Sequence, residues 1–86
     1  MPWFRLTFQA AVVQDLAAAG NPMAQRLLDK TKWIASNTEN LRHEPIAGLQ
    51  GLHKYAVADW RIFYEILPVE SLVNVHAIVH KSIMQR

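Results

Sequence analysis

The sequence contains no cysteine, which excludes a disulfide scaffold and any thiolate zinc site and leaves nothing that demands an oxidising compartment. No apolar run approaches the roughly 18 residues that a membrane-spanning helix needs. The opening MPWFRLTF also lacks the basic and long apolar regions of a secretion signal. A soluble, cytoplasmic chain with no membrane partner is therefore expected. Charge is scarce too. Nine Lys and Arg stand against seven Asp and Glu, a net +2 with His neutral, and the basic residues are scattered. A basic patch would have to be assembled by folding rather than by a sequence run.

What is present is an 86-residue chain, 51% hydrophobic and evenly mixed. That is enough for one modest core, so residues 1–86 read as a single domain, without disorder or repeats. Three strands are predicted within residues 52–81. The clearest is Trp60 to Leu67, rich in β-branched and aromatic residues and closed by Pro68. Alternation puts Ile62, Tyr64 and Ile66 on one face and Arg61, Phe63 and Glu65 on the other. The segment Leu72 to His80 splits into Val73, Val75, Ala77 and Val79 against Leu72, Asn74, His76, Ile78 and His80. In the earlier segment Tyr55 and Val57 oppose Leu52, Lys54 and Ala56. Paired in order, these strands have a core face and a second face that gathers Lys54, Arg61, Glu65, His76 and His80.

Upstream, residues 3–8 alternate as a short strand. From Gln9 the texture turns helical, with Val12, Leu16 and Ala19 as an apolar stripe and Gly20 as the stop. Asn21 and Pro22 suggest a second helix capped by Asn with Pro in its first turn. It runs to about Ser36, with Met23, Leu27, Leu28 and Ile34 inward and Trp33 either packed or exposed. The polar stretch from Ser36 to Pro45 reads as a surface connection in which His43 is solvated, and Gly48 and Gly51 read as tight backbone positions. The fold class is therefore α+β, a first strand and a two-helix hairpin on one face of an antiparallel sheet of about four strands, in the order β-α-α-β-β-β.

The ordered segment from Gly48 to Ile66, GLQGLHKYAVADWRIFYEI, together with Ile78-Val79-His80-Lys81, resembles the signature of the RelE/ParE superfamily of bacterial toxins. These proteins show an L-x-G-L-(Y)-K/R strand, a short turn, an aromatic-Arg-aliphatic-x-Tyr strand and an I-G-H-R close. The resemblance implies a toxin of a type II toxin–antitoxin pair with a cognate antitoxin as partner. In the RelE branch such a toxin acts on the ribosome as an endoribonuclease that cleaves messenger RNA; in the ParE branch it poisons DNA gyrase.

Cleavage by a ribose 2′-hydroxyl needs a proton acceptor, charge neutralisation on the phosphate and a proton for the leaving 5′-oxygen. Arg61 suits the second task, since a guanidinium offers paired donors and keeps its charge; the alternative is an ion pair with Glu65 or Asp59. Lys54 matches the basic strand position and would hold phosphate or help activate the nucleophile, or else is a solvated lysine on an open face. Lys81 matches the closing Arg but loses its fork. His80 is an acid or base candidate, or a strand-end histidine bonded to backbone. Arg61, Lys54, His80 and Lys81 form the candidate catalytic set, and Lys54, Arg61, Lys81 and Arg86 the RNA contacts. Ala56 and Gln85 stand where catalytic RelE toxins carry a second basic residue and a tyrosine, departures that favour a gyrase poison or a catalytically weakened toxin that acts by binding only. Tyr64 falls on the core face. No cofactor or metal is implied, because His76 and His80, four residues apart on one strand, lie about 13 Å from each other along an extended chain.

Overall fold

The computed structural model describes residues 4–84, so Gln85 and Arg86 lie outside the described residues. The elements run β1 (Arg5–Phe8), α1 (Ala11–Ala19), α2 (Met23–Ser36), β2 (Glu44–Ile46), β3 (Leu49–Val57), β4 (Trp60–Leu67), β5 (Leu72–His80) and α3 (Lys81–Met84). A short 3₁₀ turn, Pro68–Glu70, links β4 to β5.

The α+β class holds, but the sheet has five strands in the order β1-β5-β4-β3-β2 and is mixed rather than wholly antiparallel. The chain expected as a loop before residue 46 supplies β2, which pairs with β3. β1 lies parallel to β5, with Leu6 beside Val73 and Phe8 beside Val75. Hairpin pairing of β3, β4 and β5 leaves only two free edges. β1 takes the β5 edge, where Leu6 packs against the core beside Val73 while Phe8 stays exposed. β3 also begins at Leu49, earlier than its polar texture suggests. Gly48 and Gly51 have φ of 82° and 87°, as expected of tight positions.

Both helices cover one face of the sheet. Val12 of α1 and Leu27, Thr31, Ile34 and Ala35 of α2 are buried against Val57, Ile62, Tyr64, Val73, Val75 and Ile78. Gly20 ends α1 with φ 70° and donates its amide to the Leu16 carbonyl. The cap expected at α2 does not form. Pro22 sits at the N-cap itself, no side chain caps the helix, and the first helical residue is Met23. α1 is anchored laterally as well. β1 ends opposite Val75, so β5 has an unpaired edge beyond it. There the Ile78 amide donates to Asp15 Oδ2 of α1 at 2.9 Å, satisfying a group that would be costly to bury unpaired.

One irregularity decides which residues share a face. The β4–β5 register shifts between Phe63 and Tyr64: Tyr64 opposes Val75, yet Phe63 opposes Ala77. This β-bulge reverses the expected phase in the second half of β5. Ile78, not Ala77 or Val79, enters the core opposite Ile62. Hydrophobicity alone leaves the phase of residues 77–79 open, since all three are apolar. Size resolves it, because burying isoleucine in place of alanine gains about 0.8 kcal/mol for each added carbon.

Candidate functional site

The sheet face away from the helices is uncovered. Register assembles on it three rows running across β3, β4 and β5: Leu52, Glu65 and Asn74; Lys54, Phe63 and Ala77; Ala56, Arg61 and Val79. Glu44 of β2 stands opposite Lys54 and forms an ion pair with it, Nζ to Oε2 at 3.7 Å. Ile46, Leu49, Leu52, Phe63, His76 and Ala77 line an apolar groove of about 460 Å³ on this face.

Arg61 and Lys54 thus share the open face, diagonally placed on adjacent strands. The guanidinium pairs with neither Glu65 nor Asp59. It folds back over its own hairpin, Nη1 donating to the carbonyls of Ala58 at 3.1 Å and Trp60 at 2.9 Å. To reach a ligand lying over Phe63, it must exchange these carbonyls for ligand oxygens. Lys81 gathers at the same turn: its amide donates to the Asp59 carbonyl and its Nζ lies 3.3 Å from the Asp59 carboxylate. The two cations therefore flank residues 58–59 at one rim of the face.

His80 is not with them. The bulge turns it opposite Trp60 on the helix-covered side, where the two rings meet edge to face at 5.1 Å. Its Nδ1 bonds the Ser82 hydroxyl, and it lines a cleft with Asp15, Ala18 and Ile83. The expected grouping of His80 with Arg61 and Lys54 is therefore incorrect, and the reason is the register shift. His76 and His80, assigned to one face, lie on opposite faces.

On the open face the bulge instead turns His76 toward Glu65, Nε2 to Oε1 at 2.7 Å, each side chain about one-third exposed (34% and 32%). A carboxylate only accepts, so Nε2 carries the hydrogen. The His76 hydrogen bond holds the Glu65 carboxyl below the usual carboxylate range; burial opposes this and Asn74 assists it. Asn74 in turn accepts a hydrogen bond from Thr7 of β1 at 2.9 Å. Composition marks both His76 and Glu65 as polar-face residues, but no sequence signal announces a bulge, and strict alternation does not single them out as a pair.

His43 also departs from expectation. It is not solvated: its Nε2 reaches the Thr38 carbonyl at 2.8 Å and its Nδ1 the Tyr64 hydroxyl at 2.6 Å. A carbonyl cannot donate, so in the neutral ring Nε2 carries the hydrogen and the tyrosine donates to Nδ1. Tyr64 is 1% exposed, in the core as read from its alternation. Burial chiefly, with Tyr55 adding, pushes its phenol up to about 12, which leaves it a structural donor rather than a titrating group. His53 packs against both rings, and burial first, then His43, holds its imidazole below 6.5. Among the described residues no group of three or more acidic or histidine side chains is arranged to hold a metal ion.

Comparison with known proteins agrees with this architecture. In structure, the chain is similar to one from the toxin–antitoxin complex RelBE2 of Mycobacterium tuberculosis, with a TM-score of 0.81, 14% identity and 93% of each chain covered. It is similar to the isolated RelE toxin of E. coli, with a TM-score of 0.69 and 17% identity over 91% of this chain and 83% of that one. A chain of the RelB–RelE complex of Methanococcus jannaschii gives a TM-score of 0.72 and 18% identity over 91% and 93%. At these identities the likeness concerns the fold. No curated protein matches the sequence. The model of the ParE toxin of the type II toxin–antitoxin system parDE matches residues 6–84. With residues 6–84 matched by that model, and the fold shared with RelE structures, the protein belongs to the ParE toxin family, within the RelE/ParE superfamily of type II toxin–antitoxin toxins.

Proposed function

We propose that this toxin is a RelE-like endoribonuclease that cleaves messenger RNA on the ribosome and so inhibits translation. The observation that carries the reading is the uncovered face. Lys54 and Arg61 stand on adjacent strands, Lys81 at the same rim, and an apolar groove of about 460 Å³ beside them can receive a base. Cations that hold phosphate next to an aromatic floor are what single-stranded RNA requires. Lys54 and Arg61 supply charge to the reacting phosphate and Lys81 an outer phosphate contact. The role assigned to His80 would need a ligand that reaches past the sheet edge.

Purified protein added to an in vitro translation reaction is expected to cut the transcript in phase with codons, and Arg61→Ala to abolish the cutting. Intact transcripts with the unaltered protein would refute the reading.

A second reading, a gyrase poison, is favoured by the match to a ParE model and by Ala56, which stands beside Arg61 on the open face without charge. A supercoiling assay separates the two, because only a gyrase poison traps cleaved DNA while RNA stays whole. Either activity implies a cognate antitoxin. The similar structures include complexes with antitoxins, and a partner of that kind would bury the exposed apolar groups of the open face or helix pair. A reading frame beside this gene that encodes a protein co-purifying with the toxin would identify it.

A further inference from the structure

The pair His76 and Glu65 has no part in the residue set drawn from the family signature, yet it joins an imidazole to a carboxylate on the open face. We propose that His76 is the general base of this site and that Glu65 is the residue that positions it; the inference rests on the ribonuclease reading above.

Three observations carry it. The first is orientation. Glu65 accepts from Nε2 at 2.7 Å, which fixes the hydrogen there and leaves Nδ1 as the lone-pair nitrogen. Nδ1 makes no hydrogen bond among the described residues. A carboxylate that holds an imidazole in one tautomer is the arrangement by which hydrolases and transferases keep a histidine basic toward substrate. The second is position. The β-bulge sets His76 and Ala77 against the space of one residue on β4, and bulges commonly re-aim side chains at functional sites. His76 thereby lines the groove with Phe63 and Leu52, one row from Lys54. The third is support. Glu65 stands beside Asn74, which is tied to Thr7 on the edge strand, so the pair rests on three strands rather than on a loop.

The step balances without a metal or redox partner. His76 Nδ1 takes the proton of a ribose 2′-hydroxyl, whose oxygen bonds to the adjacent phosphorus. The bond from phosphorus to the 5′-oxygen breaks, its electron pair leaves on that oxygen, and water supplies the proton that oxygen needs. The products are a 2′,3′-cyclic phosphate and a 5′-hydroxyl, and the imidazolium returns its proton to water. Lys54 lies beside the phosphate to offset its growing charge. The other charged groups of this face are Glu44 on β2, Arg61 on β4 and Arg5 on β1, with Lys81 paired to Asp59 at the rim.

The test is single-turnover cleavage of ribosome-bound messenger RNA. His76→Gln retains a hydrogen bond to Glu65 but cannot accept the proton, and cleavage is expected to fall about 100-fold or more. Imidazole added to His76→Ala is expected to restore part of the lost cleavage, which a merely structural cross-strand pair would not allow. Glu65→Gln, whose amide no longer holds the imidazole in one tautomer, is expected to slow cleavage about tenfold with RNA binding unchanged. If the His76 variants fail to fold, the rate of Glu65→Gln decides. Cleavage by the unaltered protein, combined with wild-type rates in the variants, overturns the proposal alone. No cleavage by the unaltered protein overturns it together with the ribonuclease reading.

Discussion

On the helix-covered face of the sheet, polar groups are tied inward, Tyr64 to His43, His43 to Thr38 and the Ile78 amide to Asp15, while the Nδ1 of His53 is buried without a hydrogen-bond partner among the described residues. On the opposite face, Lys54, Glu44, Glu65 and His76 pair with one another within reach of water. The same strands carry both sets, two residues out of every four. Bonds made inside the core hold the fold, because leaving a buried partner unpaired is expensive. Bonds made at an open face can be exchanged for a ligand at little cost.

Substitutions can break or sharpen this contrast. The largest effect is expected from Ile62→Ala, which empties a fully buried site against Ile78; about 2–5 kcal/mol of unfolding free energy should be lost in a denaturant titration. Phe63→Ala next to it, on the open face, should lose far less stability while weakening RNA binding. Comparable losses for the two would mean that the open face is packed in solution. Asp15→Ala removes the acceptor of the Ile78 amide at the β5 edge and should destabilise by about 1–3 kcal/mol. Faster hydrogen exchange at Ile78 should accompany that loss. Tyr64→Phe leaves His43 Nδ1 without its donor, with an expected cost of about 1 kcal/mol in the same titration.

The two faces should also differ in their response to acid. His53, its imidazole held below 6.5 by burial and by His43, is protonated more readily in the unfolded chain. Stability is therefore full above that value and declines as pH falls through 6.5. His53→Phe should flatten this part of a stability profile. Glu65 acts lower. Its carboxyl is held below 4.5 chiefly by the His76 hydrogen bond, so its contribution is present above 4.5 and lost as pH drops through the folded value. The smallest effect is expected from Lys54→Ala, which removes an exposed pair with Glu44 and should change stability by less than about 1 kcal/mol. If it lowers RNA cleavage sharply all the same, the contrast between the faces is complete.

Much of this arrangement is legible in the residues. Alternation in β4 assigns Ile62 and Tyr64 to the core and Arg61 to the other side, and both assignments hold. Short-range patterns fail where chemistry is ambiguous or distant. β2 is hidden because Glu44 and Pro45 look like loop residues until β3 is there to pair with them. His43 looks solvated because its partners, Thr38 and Tyr64, come from a helix end and from a strand 21 residues away.

The first strand, the two helices and the three-stranded meander, the helix stripes, the face of Arg61 and the family signature follow from the sequence by itself, because each depends on residues near one another in the chain. Only tertiary structure decided that β1 runs parallel to β5, that Asp15 closes an unpaired edge, and that a bulge sends His80 beneath the helices while turning His76 toward Glu65. In the apolar run from Ala77 to Val79, local periodicity permits either phase. The choice falls to whichever residue best fills the space opposite Ile62, a space that exists only once the helices and strands have packed.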